Sequence, residues 1–211
     1  MKKLILAALL LIVCAGLVRL LTYDRYLPFN DYSDEAVYVS LADEIRGFSD
    51  QTAVREIYGQ LAPLYVGFNV AVQTVHDWIK PSPWHIPGDY VYSLRITSAL
   101  FGIGTALAIA WIGWQLNGFG AALIGGMIWA LSPIIVNFNS LAIPDPMLYF
   151  VCAIAVAAAI SAYKRDSIGY LALSLLAGVA AIYIKLWIAA AVVPFVIASF
   201  LMVLRDRSRL G

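Results

Sequence analysis

The sequence predicts an all-α integral membrane protein with about six transmembrane helices. Hydrophobic residues make up 62% of the 211-residue chain and charged residues only 13%, about half the charged share of an ordinary soluble domain. Several apolar runs also approach or exceed the roughly 18–20 residues that a helix needs to cross a bilayer. The net charge of +1 gives no indication of nucleic-acid binding, so no nucleic-acid partner is expected.

Six apolar segments are assigned as transmembrane helices. They cover residues 4–21, 92–114, 119–138, 146–163, 168–184 and 187–204. Asn117-Gly118 separates the second helix from the third. The apolar run from Ile168 to Leu204 is too long for one crossing, so Lys185 near its middle is expected at the turn of a hairpin.

The first helix follows Met1-Lys2-Lys3, a start that a cleaved signal peptide would share. No small-residue cleavage site precedes the polar loop, so an uncleaved anchor helix is predicted. Cys14 and Cys152 both lie in apolar runs. They are expected to be packed thiols rather than a disulfide or part of a metal site.

The placement of lysine and arginine predicts the orientation. With six spans, seven of these residues fall on one side of the membrane, namely Lys2, Lys3, Lys164, Arg165, Arg205, Arg207 and Arg209. Positive residues favour the cytoplasmic side. Both termini are therefore predicted to be cytoplasmic in a plasma-membrane protein, with residues 22–91 as an outer loop and residues 92–204 as a helical bundle. Together they form one transmembrane domain, 1–211.

The outer loop is predicted to contain two surface helices, and ten of the thirteen acidic residues lie between Asp24 and Asp89. In residues 34–48, apolar positions recur at helical spacing and predict a helix lying on the membrane surface; they are Val37, Leu41, Ile45 and Phe48. A second interfacial helix is predicted over 64–79. It carries a polar stripe of Asn69, Gln73, His76 and Lys80.

Asp34 and Glu35 are the first candidate site residues. Ser33 can act as the N-cap of the surface helix, with the two acids in its first turn, where the helix dipole favours negative charge. Alternatively, one carboxylate serves as a general base or a metal ligand at the membrane surface. The two interpretations are compatible, because a helix N-terminus is a fixed platform.

Four further charged residues lie at or near predicted outer helix ends. Asp145, between two prolines, is expected as an N-cap with Pro146 at the first helical position, and it can line the same cavity as Asp34. Lys185 either snorkels to the interface or binds a phosphate. Arg95 either pairs with an outer acid or holds a phosphate, whereas Arg19 is expected to snorkel.

Weaker signals concern metals and glycines. His76 and His85 are the only histidines, and their spacing is not diagnostic of a metal site. No metal ligand is assigned, and a divalent cation is left open as a cofactor. The pairs Gly102/Gly104 and Gly125/Gly126 are expected where helices approach closely.

Five segments, in this order along the chain, resemble those of the polyprenyl-phosphate-sugar glycosyltransferases of the GT-C class. Within that class they resemble the family of the protein O-mannosyltransferases and aminoarabinose lipid A transferases. They are Tyr32–Ala42, like a D-E motif followed by a helix; Ala62–Tyr65, like H-P-P-L-Y; Leu94–Gly102, like R-x-x-S-A-L-x-G; Leu131–Pro133 with Ala142–Asp145, like S-P…A-x-x-D; and Leu176–Gly178 with Tyr183–Lys185, like L-A-G…T-K. Leu61 and Ala62 depart from the family's H-P.

The resemblance implies a membrane enzyme that passes a sugar from a polyprenyl-phosphate donor to an acceptor at the outer face of the cell envelope. It implies that Asp34 stands at the catalytic carboxylate with Glu35 beside it. Asp145 would line the cavity, and Arg95 and Lys185 would contact the lipid phosphate. Because family members are longer, the chain is expected to be an N-terminal half. The alternative is a non-catalytic, transferase-derived subunit that binds other membrane subunits.

Overall fold

The predicted all-α membrane fold is confirmed. The computed structural model describes residues 2–22, 33–48, 62–81, 87–185 and 192–210, and the regular elements in these ranges are all α-helices. In chain order they are α1 (Lys2–Leu20), α2 (Ser33–Ile45), α3 (Pro63–Ile79), α4 (Pro87–Leu131), α5 (Pro133–Asn139), α6 (Asp145–Arg165), α7 (Ile168–Ile184) and α8 (Val193–Leu210). His85 lies outside the described residues, which omit 23–32, 49–61 and 82–86 of the predicted 22–91 loop.

Helix α4 is a hairpin of two antiparallel halves. The backbone leaves helical geometry at Asn117 and Gly118, and Gly118 has φ 76°, a conformation that glycine adopts without strain. Beyond the turn the halves lie close together, since a Cβ added at Gly113 would come within 2.6 Å of the backbone of Ala121. The predicted break at Asn117-Gly118 is therefore confirmed.

Helix α1 lies against this hairpin. Its buried residues are spaced four apart and form one stripe, which consists of Ala7, Leu11, Ala15 and Arg19. Leu11 packs against Ala110 and Ala122, one from each half of the hairpin. Gly126 makes room for this contact, because a Cβ there would lie 2.6 Å from Leu11. Small residues thus let the backbones approach, as is usual between membrane helices.

Three helices are long and apolar enough to cross a membrane in the described ranges. They lie in Lys2–Leu20, Gly88–Leu131 and Asp145–Arg165, and the second of these contains the hairpin. The apolar helix Ile168–Ile184 has the predicted bounds but is shorter. The count of six spans and the orientation of the termini stay predictions.

The third predicted span, 119–138, is interrupted. Helix α4 ends at Leu131, Ser132 is extended, and Pro133 starts the short helix α5. Proline disfavours helical dihedrals in the residue before it and lacks a backbone N–H. The apolar run therefore breaks at Ser132-Pro133, although its hydropathy is continuous.

Helices α2 and α3 form where predicted, but part of the polar surface of each helix is buried against the bundle. The side of α2 that packs on the bundle includes two acids, Glu35 and Asp43, whereas Ile45 is exposed. The polar stripe of α3 is likewise partly internal, since Asn69 and Gln73 are fully buried. These polar side chains face the protein interior, which hydropathy periodicity alone does not reveal.

Candidate active site

Glu35 is a buried anchor rather than a free carboxylate. Its side chain is 0% exposed, and it accepts hydrogen bonds from Arg95 Nε at 2.8 Å and Arg95 Nη2 at 2.6 Å. It also accepts the backbone N–H of Ala142 at 2.6 Å. A buried carboxylate persists only when it is paired and hydrogen-bonded. This one joins α2, α4 and the segment before α6.

The segment that Glu35 holds is a buried turn. Residues 140–144 connect α5 to α6, and all five are buried. Ala142 packs with Val39 of α2 and Leu94 of α4 in one apolar cluster. A buried backbone N–H needs a partner, and Glu35 is the partner of the Ala142 N–H. The turn is thereby fixed to both neighbouring helices.

Asp34 lies beside this anchor and faces outward. It is exposed in the first turn of α2, where the helix dipole favours a carboxylate. It makes no hydrogen bond or ion pair to another residue of the described ranges. The side chain of Ser33, the predicted cap, lies outside the described part. Two adjacent acids thus have different environments, one buried and paired, the other available at the surface.

Asp145 and Lys185 are brought together as an ion pair. Lys185 Nζ donates to Asp145 Oδ1 at 2.8 Å, with the two side chains 24% and 19% exposed. Lys185 directly follows the last residue of α7, as the predicted hairpin turn requires. The prediction for Asp145 is off by one position: Pro144 is the N-cap and Asp145 the first helical residue. Its carboxylate binds Lys185 and does not cap the helix.

These parts occupy one end of the bundle, which we call the α2 end: Asp34, Glu35, Arg95, the 140–144 turn, Asp145 and Lys185. Ala142, which Glu35 binds, is three residues from Asp145, so their Cα atoms lie at most about 11 Å apart. The folded chain therefore gathers all five predicted site residues. It pairs them as Glu35–Arg95 and Asp145–Lys185, which leaves Asp34 as the exposed member.

The pairing gives Glu35 and Arg95 a structural role. Arg95 is 1% exposed, and its guanidinium is held in a two-pronged geometry by the Glu35 carboxylate. Such a pair is specific and strongly directional. Contact of Arg95 with a phosphate and of Glu35 with the reacting groups stay predictions.

A second polar network joins α2 to α3. Arg46 binds Asp77 and donates to Gln73 Oε1 at 2.9 Å, and Tyr90 donates to Asp77 Oδ1 at 2.8 Å. Burial acts to raise the pKa of Asp77, but hydrogen bonds from Tyr90 and Arg46 and the charge of Arg46 outweigh it and lower the pKa. This network fixes α3 against α2.

His76 is also held in place, since its Nδ1 lies 2.7 Å from Ser93 Oγ. In the described part of the chain, no group of three or more His, Cys, Asp or Glu side chains could hold a metal ion. A divalent cation stays a prediction.

A family model matches residues 74–210, more than half of the chain. Its description is dolichyl-phosphate-mannose-protein mannosyltransferase. The chain belongs to this family. Mannosyltransferases of this kind are membrane glycosyltransferases of the GT-C type, and the predicted resemblance is confirmed. No curated protein and no solved structure matches the chain.

The mannosyltransferase match includes Arg95, Asp145 and Lys185 but begins after Asp34 and Glu35. Glu35 is nevertheless tied to the matched region, because it binds Arg95 and the Ala142 N–H, and Asp34 is its neighbour in the chain. The link between the first-loop acids and the family's bundle is thus a direct side-chain contact.

Arg19 is the residue whose buried position the sequence interpretation missed. The prediction that it snorkels to the interface is wrong, because the side chain is 1% exposed and bonds to Asn139. The signal was present in the sequence. Arg19 follows Ala15 by four residues, and residues four apart share a face of a helix. It therefore continues the stripe that α1 buries against the α4 hairpin.

Proposed function

We propose that this protein transfers a sugar from a polyprenyl-phosphate donor to an acceptor hydroxyl at the outer surface of its membrane. The observation that supports it most is the exposed Asp34 carboxylate, adjacent to Glu35, which is buried and bonded to Arg95 and Ala142. Asp34 is thereby held on a fixed helix N-terminus, and no residue in the described part of the chain forms an ion pair with it. Membership of the mannosyltransferase family supports the reaction class.

In the proposed reaction Asp34 acts as a general base. The acceptor oxygen attacks the anomeric carbon of the sugar, and the bond from that carbon to the phosphate oxygen breaks. The hydroxyl proton passes to the Asp34 carboxylate, and the bond's electron pair leaves with the polyprenyl phosphate. A base that removes this proton in the transition state contributes typically about 10²- to 10⁴-fold.

Lys185 is proposed to neutralise the leaving phosphate. Its ammonium group is partly exposed and donates a hydrogen bond to Asp145 Oδ1. A lysine of this kind can exchange a carboxylate partner for a phosphate, since both are anionic oxygen acceptors. Asp145 would then hold the lysine in position before the donor arrives.

The test is a lipid-linked sugar assay with the full chain in proteoliposomes. A panel of radiolabelled polyprenyl-phosphate hexoses and pentoses is supplied with candidate hydroxyl acceptors, and release of polyprenyl phosphate is measured. Turnover of one donor supports the proposal. If no donor turns over and the protein co-purifies in fixed ratio with another membrane protein, the alternative of a non-catalytic subunit replaces it.

Replacing Lys185 by methionine is expected to lower transfer about 10- to 100-fold, because the charge on the departing phosphate loses its counter-ion. Lys185→Arg keeps the charge and should retain more activity than Lys185→Met. The measurement is the initial rate at saturating donor. Equal losses in the two variants would show that the positive charge is not what matters.

Lys164→Met is a matched control for this variant. Lys164 is an exposed lysine in the last turn of α6, near the other end of the bundle. Transfer in this variant should remain close to that of the unsubstituted protein.

A further inference from the structure

Arg19 is a buried cation whose partners are all neutral in the described part of the chain. Its Nε and Nη2 donate to Asn139 Oδ1 at 3.1 Å and 2.8 Å. Its Nη1 donates to the backbone carbonyls of Ala15 and Ala130, both at 3.2 Å. Burying a guanidinium in a membrane bundle is costly, so such residues usually serve a function.

The bundle makes space for this arginine at Gly102. A Cβ at Gly102 would overlap Asn139 Oδ1 and lie 2.5 Å from Arg19 Nε. Gly102 comes seven residues after Arg95, so the two lie on nearly the same face of α4, about 10 Å apart. One face of α4 therefore carries Arg95 and contacts Arg19.

The two arginines hold the same segment from its two sides. Asn139, which Arg19 binds, is the last residue of α5, and the buried 140–144 turn follows directly. Ala142 within the turn is bound by Glu35, the partner of Arg95. The turn ends at Asp145, which pairs with Lys185. Both contacts thus lie on the short chain segment that leads to Asp145.

The contacts of Arg19 favour a specific role over general packing. An apolar side chain of similar volume would fill the same space without the cost of burying charge. The guanidinium instead reaches the last turn of α4, through the Ala130 carbonyl, and the end of α5, through Asn139. These are the two ends of the interrupted segment around Ser132-Pro133 that leads into the turn.

We propose that Arg19 and Asn139 are positioning residues that fix the 140–144 turn and so hold the Asp145 carboxylate against Lys185. The consequence for sugar transfer rests on the proposed function. The consequence for the turn does not, because it concerns the local stability of a buried segment. The two can therefore be measured separately.

The experiment compares hydrogen exchange and transfer in Arg19→Met, Asn139→Leu and Asn139→Asp, each made in the full chain in nanodiscs. The amides of Leu141, Ala142 and Ile143 report on the turn. Arg19→Met and Asn139→Leu should speed their exchange about tenfold or more, with α7 peptides changed less than about twofold. Both variants should lower kcat about tenfold or more with little change in the donor KM, as misplaced catalytic groups do.

Two variants serve as internal controls. Hydrogen exchange and transfer in Asn139→Asp should remain close to those of the unsubstituted protein, because a carboxylate can accept both hydrogen bonds from Arg19. The Asn139 Nδ2 group, which the variant loses, has no partner among the described residues. Asn137→Leu makes the same chemical change as Asn139→Leu at an exposed position of α5. It should leave both exchange and transfer unchanged.

Unchanged exchange at the turn in both Arg19→Met and Asn139→Leu would overturn the proposal. Faster exchange in all helices, with a lower melting temperature, would also overturn it, because the arginine would then only stabilise the bundle. If either single variant fails to fold, the double variant Arg19→Met/Asn139→Leu, which leaves no polar group of the pair behind, decides between these results. If no donor turns over in any form, the proposed function fails and the exchange result still stands.

Discussion

Asp34→Asn is expected to lower sugar transfer by about 10²- to 10⁴-fold, because an amide cannot take up the proton of the acceptor hydroxyl. The change conserves size and shape at an exposed position. The fold should therefore be retained, with a melting temperature close to that of the unsubstituted protein. The measurement is the transfer rate at saturating donor and acceptor, with thermal unfolding recorded on the same preparation.

Asp166→Asn is the matched control for this variant. Asp166 follows the last residue of α6, is exposed, and has φ 54°, a conformation that asparagine tolerates as well as aspartate does. It lies at the opposite end of α6 from Asp145. Transfer should be unaffected in Asp166→Asn. Full activity in Asp34→Asn would show that Asp34 is not the general base.

Glu35→Leu is expected to destabilise the protein by about 3–5 kcal/mol, since it leaves the buried Arg95 charge without its carboxylate partner. The Ala142 N–H loses its acceptor as well. For a chain of this size the melting temperature should fall by roughly 6–20 °C. The measurement is thermal unfolding in a mild detergent at fixed protein concentration.

The double variant Glu35→Leu/Arg95→Met distinguishes a structural role of the Glu35–Arg95 pair from a catalytic role of Glu35. Removing both charges leaves neither partner of the pair buried without the other, so much of the lost stability should return. If Glu35→Leu instead abolishes transfer and leaves the melting temperature unchanged, Glu35 takes part in the reaction and its structural assignment is wrong.

Local features of the helices could be predicted from the sequence. Hydropathy predicted the bounds of α7, Ile168–Ile184, because a helix that lies in a bilayer must be apolar along its length. The turn at Asn117-Gly118 follows from the conformational freedom of glycine. Gly102, Gly104 and Gly126 lie at close contacts between helices, as their placement in apolar helices predicted.

Contacts between distant residues could not be predicted from the sequence. Glu35 and Arg95 are 60 positions apart, and Asp145 and Lys185 are 40 apart. Each was recognised as a candidate singly, but periodicity describes one helix at a time and does not show which charges meet. The burial of Glu35 and Asp43 on α2 was not predicted for the same reason, since a carboxylate can be buried once it is paired.

The central claim is that the Asp34 carboxylate faces the outer water–lipid boundary. It is tested most directly by Asp34→Cys in a chain that carries Cys14→Ala and Cys152→Ala, labelled in intact cells with a membrane-impermeant maleimide. Lys164→Cys in the same background marks the predicted cytoplasmic side. Labelling at position 34 without permeabilisation, together with labelling at position 164 only after it, is the predicted result. Labelling at position 34 only after permeabilisation would contradict the account.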